Sequence, residues 1–124
     1  MIDFKNGSII KLSKVKGFEH EKYIASLMTA GEQFISEYKG IRDYVIFTNK
    51  RVIAVNVQGL TGKKKDFTSL PYSRIQAFSI ETAGMLDLDS ELELYFSGLG
   101  KVHFEISGQN DMIEIGRMIA EKIL

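Results

Sequence analysis

From Gly31 to about residue 107 the sequence alternates apolar and polar residues with a period of two, and this pattern constrains the fold more than any other feature. The period is that of a half-buried β-strand, whose side chains point alternately to opposite faces. Each alternating segment also carries β-branched or aromatic residues, which favour strands. Seven strands are predicted: Glu32–Lys39, Tyr44–Thr48, Arg51–Val57, Lys64–Leu70, Ile75–Thr82, Glu91–Ser97 and Val102–Ser107.

The segments between these strands have the composition of tight turns. They include Lys39-Gly40, Thr48-Asn49-Lys50, Gln58-Gly59, Ala83-Gly84 and Ser97-Gly98. Glycine and asparagine are favoured at such positions because they tolerate left-handed backbone conformations. Links this short join antiparallel neighbours, since parallel strands need a longer crossover. The chain is therefore predicted to be mainly β, an antiparallel sandwich or partly open barrel.

Two segments have helical periodicity instead. Near the C-terminus, Met112, Ile115, Ile119 and Ile123 form one apolar stripe, which predicts an amphipathic helix over 110–124 that packs on the sheet. Asn110 is the predicted N-cap of this helix. A short helix is also predicted from Glu19 to Met28, whereas the pattern from Ser8 to Phe18 has no sustained period and predicts no element.

Length and composition bound the possible functions. A chain of 124 residues suffices for one core, and we predict a single domain with an N-terminal extension (1–30), a sandwich (31–107) and the C-terminal helix. Cysteine is absent, which excludes disulfides and thiolate-ligated metals. The balance of 16 basic and 16 acidic residues argues against nucleic acid as a partner. Because the sequence has neither a signal-like start nor an apolar stretch of about 20 residues, we expect a cytoplasmic protein.

Three segments, in the same order, resemble the bacterial pleckstrin-homology family, formerly a domain of unknown function. They are Tyr38–Arg51 (YKGIRDYVIFTNKR), Gln58–Lys64 and Glu81–Leu92. The resemblance covers the chain from about Gly31 to the C-terminus. It implies a pleckstrin-like fold of seven strands with a capping helix, no enzymatic activity, and assembly into symmetric rings, expected to be pentamers, through the strand edges of adjacent subunits.

The residue types used in catalysis and metal binding lack the spacing that such sites need. His20 and His103 are the only histidines and form neither a His-x-x-x-His nor a His-x-His pair, so structural roles are predicted for both. No Gly-x-Ser-x-Gly nucleophile motif is present. We therefore predict no catalytic residue, no cofactor and no metal site.

Acidic residues alternate with less polar ones just before and within the sixth predicted strand. Asp87, Asp89, Glu91 and Glu93 lie on one face of an extended chain and form a carboxylate ladder. A calcium-binding loop would need a glycine at its sixth position and a glutamate at its twelfth, and this segment has neither. The ladder is therefore interpreted as a solvated or interaction face.

Basic residues concentrate in the turn Lys63, Lys64 and Lys65, near Lys50-Arg51 in sequence. Such a cluster attracts phosphate or an anionic lipid head group. Phosphoinositide-binding pleckstrin domains, however, gather basic residues around a long first hairpin loop, and the corresponding turn here, Lys39–Asp43, is short and contains an acid. We therefore favour a solvated turn, or pairing of these lysines with the acidic ladder of a neighbouring subunit.

The aromatic residues on the strands allow two interpretations. They are Tyr44, Phe47, Phe67 and Tyr72. Aromatic rings on a sheet can stack on nucleotide bases, but these rings have mostly apolar neighbours, which favours core packing.

Two functional hypotheses follow. The first is a non-catalytic scaffold or interaction module that forms a homo-oligomeric ring and binds other proteins. The alternative is a peripheral module that binds an anionic ligand or a membrane surface through Lys63–Lys65.

Overall fold

The computed structural model describes residues 1–4, 9–17, 19–85, 88–108 and 111–124. It is mainly β, with a C-terminal helix and a short helix near the N-terminus, as predicted. All seven predicted strands are confirmed, each within two residues of its expected ends, and an eighth strand precedes them. The elements are β1 (Ile9–Lys14), α1 (Glu21–Ile24), β2 (Phe34–Lys39), β3 (Asp43–Thr48), β4 (Arg51–Gln58), β5 (Lys64–Pro71), β6 (Ile75–Glu81), β7 (Ser90–Phe96), β8 (Gly100–Ile106) and α2 (Met112–Ile123), with 3₁₀ turns at Ala25–Leu27 and Tyr72–Arg74.

The strands form one sheet in the order β5-β4-β3-β2-β1-β8-β7-β6. Every neighbouring pair is antiparallel except β1 and β8, which are parallel. Strand β1 therefore joins the half-sheet β2–β5 to the half-sheet β6–β8. Its sequence did not predict a strand because its alternation is interrupted: Lys11 has a positive φ of 56°, and the pairing register shifts between Ile9 and Leu12.

Both half-sheets wrap around one hydrophobic core. Every strand and α2 contribute buried side chains, among them Leu12, Tyr38, Phe47, Leu92 and Phe104. Because the two halves enclose the same side chains, the architecture is the predicted partly open barrel or sandwich.

Helix α2 packs into this core through the predicted stripe. Met112, Ile115 and Ile119 are at most 2% exposed, and Ile123 packs at the margin of the core. The predicted N-cap Asn110 lies outside the described residues. Asp111, which immediately precedes the helix, makes no side-chain capping bond and instead pairs with Lys14 at 3.2 Å.

A second apolar cluster lies on the outward face of the β2–β5 half-sheet, beneath α1. Ile24 is fully buried there against Tyr44, Ile46, Ile53 and Val55. This packing explains how so short a helix is held, since four helical residues are too few to be stable alone. No helix in the described part of the chain is long and apolar enough to cross a membrane.

Candidate functional site

The two outermost strands of the sheet are β5 and β6. The N-terminal segment lies against β5, where the Met1 ammonium pairs with Asp66 at 2.8 Å and the Ile2 N–H donates to the Thr68 hydroxyl at 3.2 Å. Strand β5 ends the sheet on one side and β6 on the other, and no strand lies beyond either among the described residues. An outermost strand presents a row of unpaired backbone N–H and C=O groups, which is a template for another strand. Both edges of this sheet therefore have the chemistry needed to pair with a second chain.

Carboxylates form a row across the outward face of the β6–β8 half-sheet. In the strand register, Glu91 on β7 lies opposite Glu81 on β6 and opposite Glu105 on β8. Partial burial, hydrogen bonding with Glu81 and the charges of Glu81 and Glu105 raise the pKa of Glu91, and the nearby His103 opposes this effect. We call Glu81, Glu91 and Glu105 the acidic row.

The acidic row differs from the predicted ladder in its members. Glu91 and Glu93 lie on the same strand face as expected, and Glu93 pairs with Lys101 at 3.0 Å. Asp89 precedes β7, and Asp87 lies outside the described residues. The neighbours of Glu91 come from other strands, so spacing within one segment could not reveal them.

The predicted basic turn lies at the start of the edge strand β5. Lys63 and Lys64 are exposed, whereas Lys65 is turned toward the protein. The Lys65 Nζ donates to the carbonyl of Gly62 at 3.3 Å and lies 4.8 Å from the centre of the Tyr23 ring. Two of the three lysines are thus directed to solvent.

This turn lies next to the turn between β2 and β3. The N–H of Val57 donates to the Arg42 carbonyl at 2.9 Å, and the Arg42 guanidinium donates to the Gly59 carbonyl at 2.7 Å. Two apolar side chains at the turns, Ile41 and Leu60, are 93% and 107% exposed. A cleft of about 240 Å³ opens here, and its lining includes Lys39, Arg42 and Lys65 together with His20 and Tyr44.

Behind this cleft lies a buried polar cluster. The Glu37 carboxylate on β2 accepts hydrogen bonds from the backbone N–H of His20 at 3.0 Å and is paired with His20 Nδ1 at 3.1 Å. The His20 ring stacks on Tyr44 with centroids 3.8 Å apart. Burial, then the charge of Glu37 and the nearby Tyr23, raise the pKa of Tyr44 to about 12. Sequence analysis missed this cluster because Glu37 is far from His20 in the chain.

A buried ion pair holds the opposite end of the β3–β4 hairpin. Arg51 Nε donates to Glu32 Oε2 at 2.9 Å, and the Thr48 hydroxyl donates to the same oxygen at 2.7 Å. A second guanidinium nitrogen of Arg51 donates to the Leu27 carbonyl at 2.6 Å. The pair therefore joins the hairpin to the segment that follows α1, which is a structural role.

Comparison with known proteins gives one consistent family. Residues 3–123 match the family model described as the bacterial PH domain. The uncharacterized protein YjqA of Bacillus subtilis is 37% identical over 119 residues, covering 94% of this chain and 95% of YjqA.

Two solved structures share the fold. A DUF1696 family protein with a pleckstrin-homology domain from Shewanella loihica has a TM-score of 0.77 at 37% identity, with 93% of this chain and 99% of that chain covered. A pleckstrin-homology domain from Shewanella amazonensis has a TM-score of 0.64 at 34% identity, with coverage of 96% and 93%.

Proposed function

The chain belongs to the bacterial PH domain family, and on that premise we propose that it is a non-catalytic interaction module whose copies join edge to edge into a closed homo-oligomeric ring. The observation that supports this proposal is that β5 and β6 end the sheet, with no further strand paired to either among the described residues. When β5 of one copy contacts β6 of the next, the assembled row of copies still has an unused edge at each end. Such a contact closes into a ring when the rotation between copies allows it, and the family resemblance makes a pentamer the expected size.

Charge favours one relative direction of the two edges. If β5 of one copy pairs antiparallel with β6 of the next, Lys64 at the start of β5 comes beside Glu81 at the end of β6. Parallel pairing instead brings Lys64 near Ile75, with no charge partner. Antiparallel pairing thus juxtaposes the basic turn with the acidic row, and complementary charges of this kind favour the correct register.

Light-scattering mass measurement at tens of micromolar protein tests the assembly. We expect a defined oligomer for the wild type and a smaller mass for the double variant Lys63→Glu/Lys64→Glu. Adding Glu81→Lys and Glu91→Lys to that variant should restore part of the oligomer. Lys16→Glu is the matched control, because Lys16 is exposed outside both edges.

The outcomes separate the two parts of the proposal. A monomeric wild type contradicts edge-to-edge assembly. An oligomer that keeps its mass after both charge reversals contradicts the electrostatic part and leaves backbone pairing as the cause. Circular dichroism of each variant establishes that the monomer itself stays folded.

A second candidate function is peripheral binding to an anionic membrane surface, and the exposed turn residues favour it. Leu60 lies in the same turn as Lys63 and Lys64, and Ile41 lies in the neighbouring turn, so exposed apolar and basic side chains occur together at one end of the sheet. Exposed apolar residues insert at the boundary of head groups and acyl chains, while nearby lysines are attracted to anionic lipids.

Co-sedimentation with vesicles tests this candidate. Binding to vesicles that contain phosphatidylglycerol, weakened by salt and by Ile41→Asp/Leu60→Asp, supports it. Met85→Asp is the control, since Met85 is 98% exposed on a different turn. Equal sedimentation with neutral and anionic vesicles, or no sedimentation, contradicts it.

A further inference from the structure

A second type of site lies where the start of α1 meets β2. The Glu37 side chain is 0% exposed, and its described side-chain partner is the imidazole of His20. Burying a carboxylate is costly unless a positive charge compensates it. An imidazole carries no permanent charge, so this carboxylate lies where a bound cation would be stabilised.

Glu19 brings a second carboxylate to the same place. Ligand atoms of Glu19, His20 and Glu37 all lie within 4.8 Å of one another. We propose that these three side chains bind one divalent transition-metal ion, with Zn²⁺ as the reference ion. The site is independent of ring assembly, because it uses neither edge strand.

The donor set determines the class of metal. One imidazole nitrogen and two carboxylate oxygens suit Zn²⁺, Mn²⁺ and related ions, whereas Mg²⁺ and Ca²⁺ favour oxygen ligands. His20 would bind through Nδ1, the nitrogen that faces Glu37, and carry its hydrogen on the other ring nitrogen. Three protein ligands leave a coordination position open for water or an anion.

A movement of about one ångström is needed to reach bonding distances. In a tetrahedral site, bonds of about 2.0–2.2 Å place two ligand atoms roughly 3.4 Å apart, so atoms that lie within 4.8 Å of one another have to close by at most about 1.4 Å. Glu19 is the ligand that can move, because its side chain is 49% exposed and is held by an equally exposed Lys39 at 3.2 Å. The metal would replace this ammonium group as its partner.

The other two ligands are already fixed. Stacking on Tyr44 sets the plane of the His20 ring, and β2 holds Glu37. Tyr44 is 3% exposed and lines the same cleft as His20, and its hydroxyl has no hydrogen-bond partner within the described part of the chain. That hydroxyl is available to hydrogen-bond a water or an anion that enters this cleft.

Calorimetric titration of the untagged, chelator-treated full chain with ZnCl₂ tests the proposal. We expect one Zn²⁺ per chain, a rise in melting temperature with Zn²⁺ and no response to MgCl₂. His20→Asn and Glu19→Gln should each weaken binding by more than about 100-fold, because loss of a direct ligand exceeds the roughly 10- to 100-fold cost of outer-shell changes.

His103→Asn is the matched control. His103 is the other histidine of the chain and also faces a glutamate, with its Nε2 3.7 Å from Glu91 Oε1. Binding that persists in this variant and is lost in the His20 and Glu19 variants supports the site. No stoichiometric binding, undiminished binding in His20→Asn, loss of binding in His103→Asn, or an equal response to Mg²⁺ overturns the proposal. Both test residues are at least partly exposed, so the outcome does not depend on whether Glu37→Gln folds.

Discussion

Replacing Glu32 with glutamine tests how much one buried ion pair contributes to this fold. The Glu32 side chain is 1% exposed and is paired with Arg51 at 2.9 Å. It also accepts hydrogen bonds from the Thr48 hydroxyl at 2.7 Å and from the Thr29 N–H at 3.0 Å. Glutamine keeps the size of the side chain and removes its charge, so the variant isolates the electrostatic contribution.

The pKa of Glu32 gives the expected magnitude. Burial alone raises this pKa, but the hydrogen bonds from Arg51, Thr48 and Thr29 and the charge of Arg51 together lower it from 4.5 to about 2. A pKa lower by about 2.5 in the folded state corresponds to about 3 kcal/mol of stability. Solvent screening at the partly exposed guanidinium reduces this contribution to about 2 kcal/mol.

The sign of the pH dependence follows from the lowered pKa. Since the carboxylate is favoured in the folded state, its contribution is fully present above pH 4.5 and is lost as the pH falls toward 2. Wild-type and Glu32→Gln proteins should therefore differ by about 2 kcal/mol in unfolding free energy at pH 7 and converge near pH 2.

Urea denaturation at a series of pH values between 2 and 7 measures this difference. Glu121→Gln is the control, because Glu121 is exposed on α2 and should show a difference near zero at every pH. A Glu32→Gln difference that stays constant with pH would refute the reasoning, since it would indicate lost packing instead of lost charge. No difference at pH 7 would refute it as well.

Three further substitutions test the core. Ile119→Asp should destabilise the fold by at least about 3 kcal/mol, because Ile119 is 0% exposed and the variant buries an unpaired carboxylate. Ile113 is 58% exposed on the same helix, so calorimetry should show little change in the melting temperature of the control Ile113→Asp. Equal melting temperatures of the two variants would contradict the packing of α2. Tyr72→Phe removes a 2.7 Å hydrogen bond to a β3 carbonyl and should lower the unfolding free energy by about 1 kcal/mol in urea, whereas an unchanged midpoint counts against that bond. Gly116→Val should lower the unfolding free energy by about 1–3 kcal/mol in thermal unfolding, because the added side-chain carbons collide with Ile80 on β6. A variant more stable than the wild type would show that the Ile80 side chain moves aside without cost.

Local sequence pattern was sufficient for most of the fold. Alternation predicted most of the seven strands from Phe34 onward, because one face is buried and the other is more polar. The stripe through Ile119 predicted α2 for the same reason, at a helical period. Strands β3 and β4 are buried on both faces, and their β-branched and aromatic residues predicted them instead. Strand β1 was missed because its irregular backbone and mixed pairing interrupt the alternation, so its place between β2 and β8 depends on contacts with distant strands.

The candidate sites were less predictable than the elements that carry them. Sequence analysis identified Lys63–Lys65 and the acidic residues of β7, since each set is contiguous or regularly spaced. It could not identify Glu81 and Glu105 as neighbours of Glu91, because strand register alone brings them together.

The sequence by itself determined most elements of this protein: which segments from Phe34 onward are strands, where the turns fall and which face of α2 is buried. These properties depend on residues a few positions apart, whose spacing fixes the direction of their side chains. Only the tertiary structure decided which strands end the sheet and that Glu19 and His20 lie beside Glu37. Such arrangements join residues that are far apart in the chain, and they exist only after the sheet has closed around its core and fixed the register of every strand.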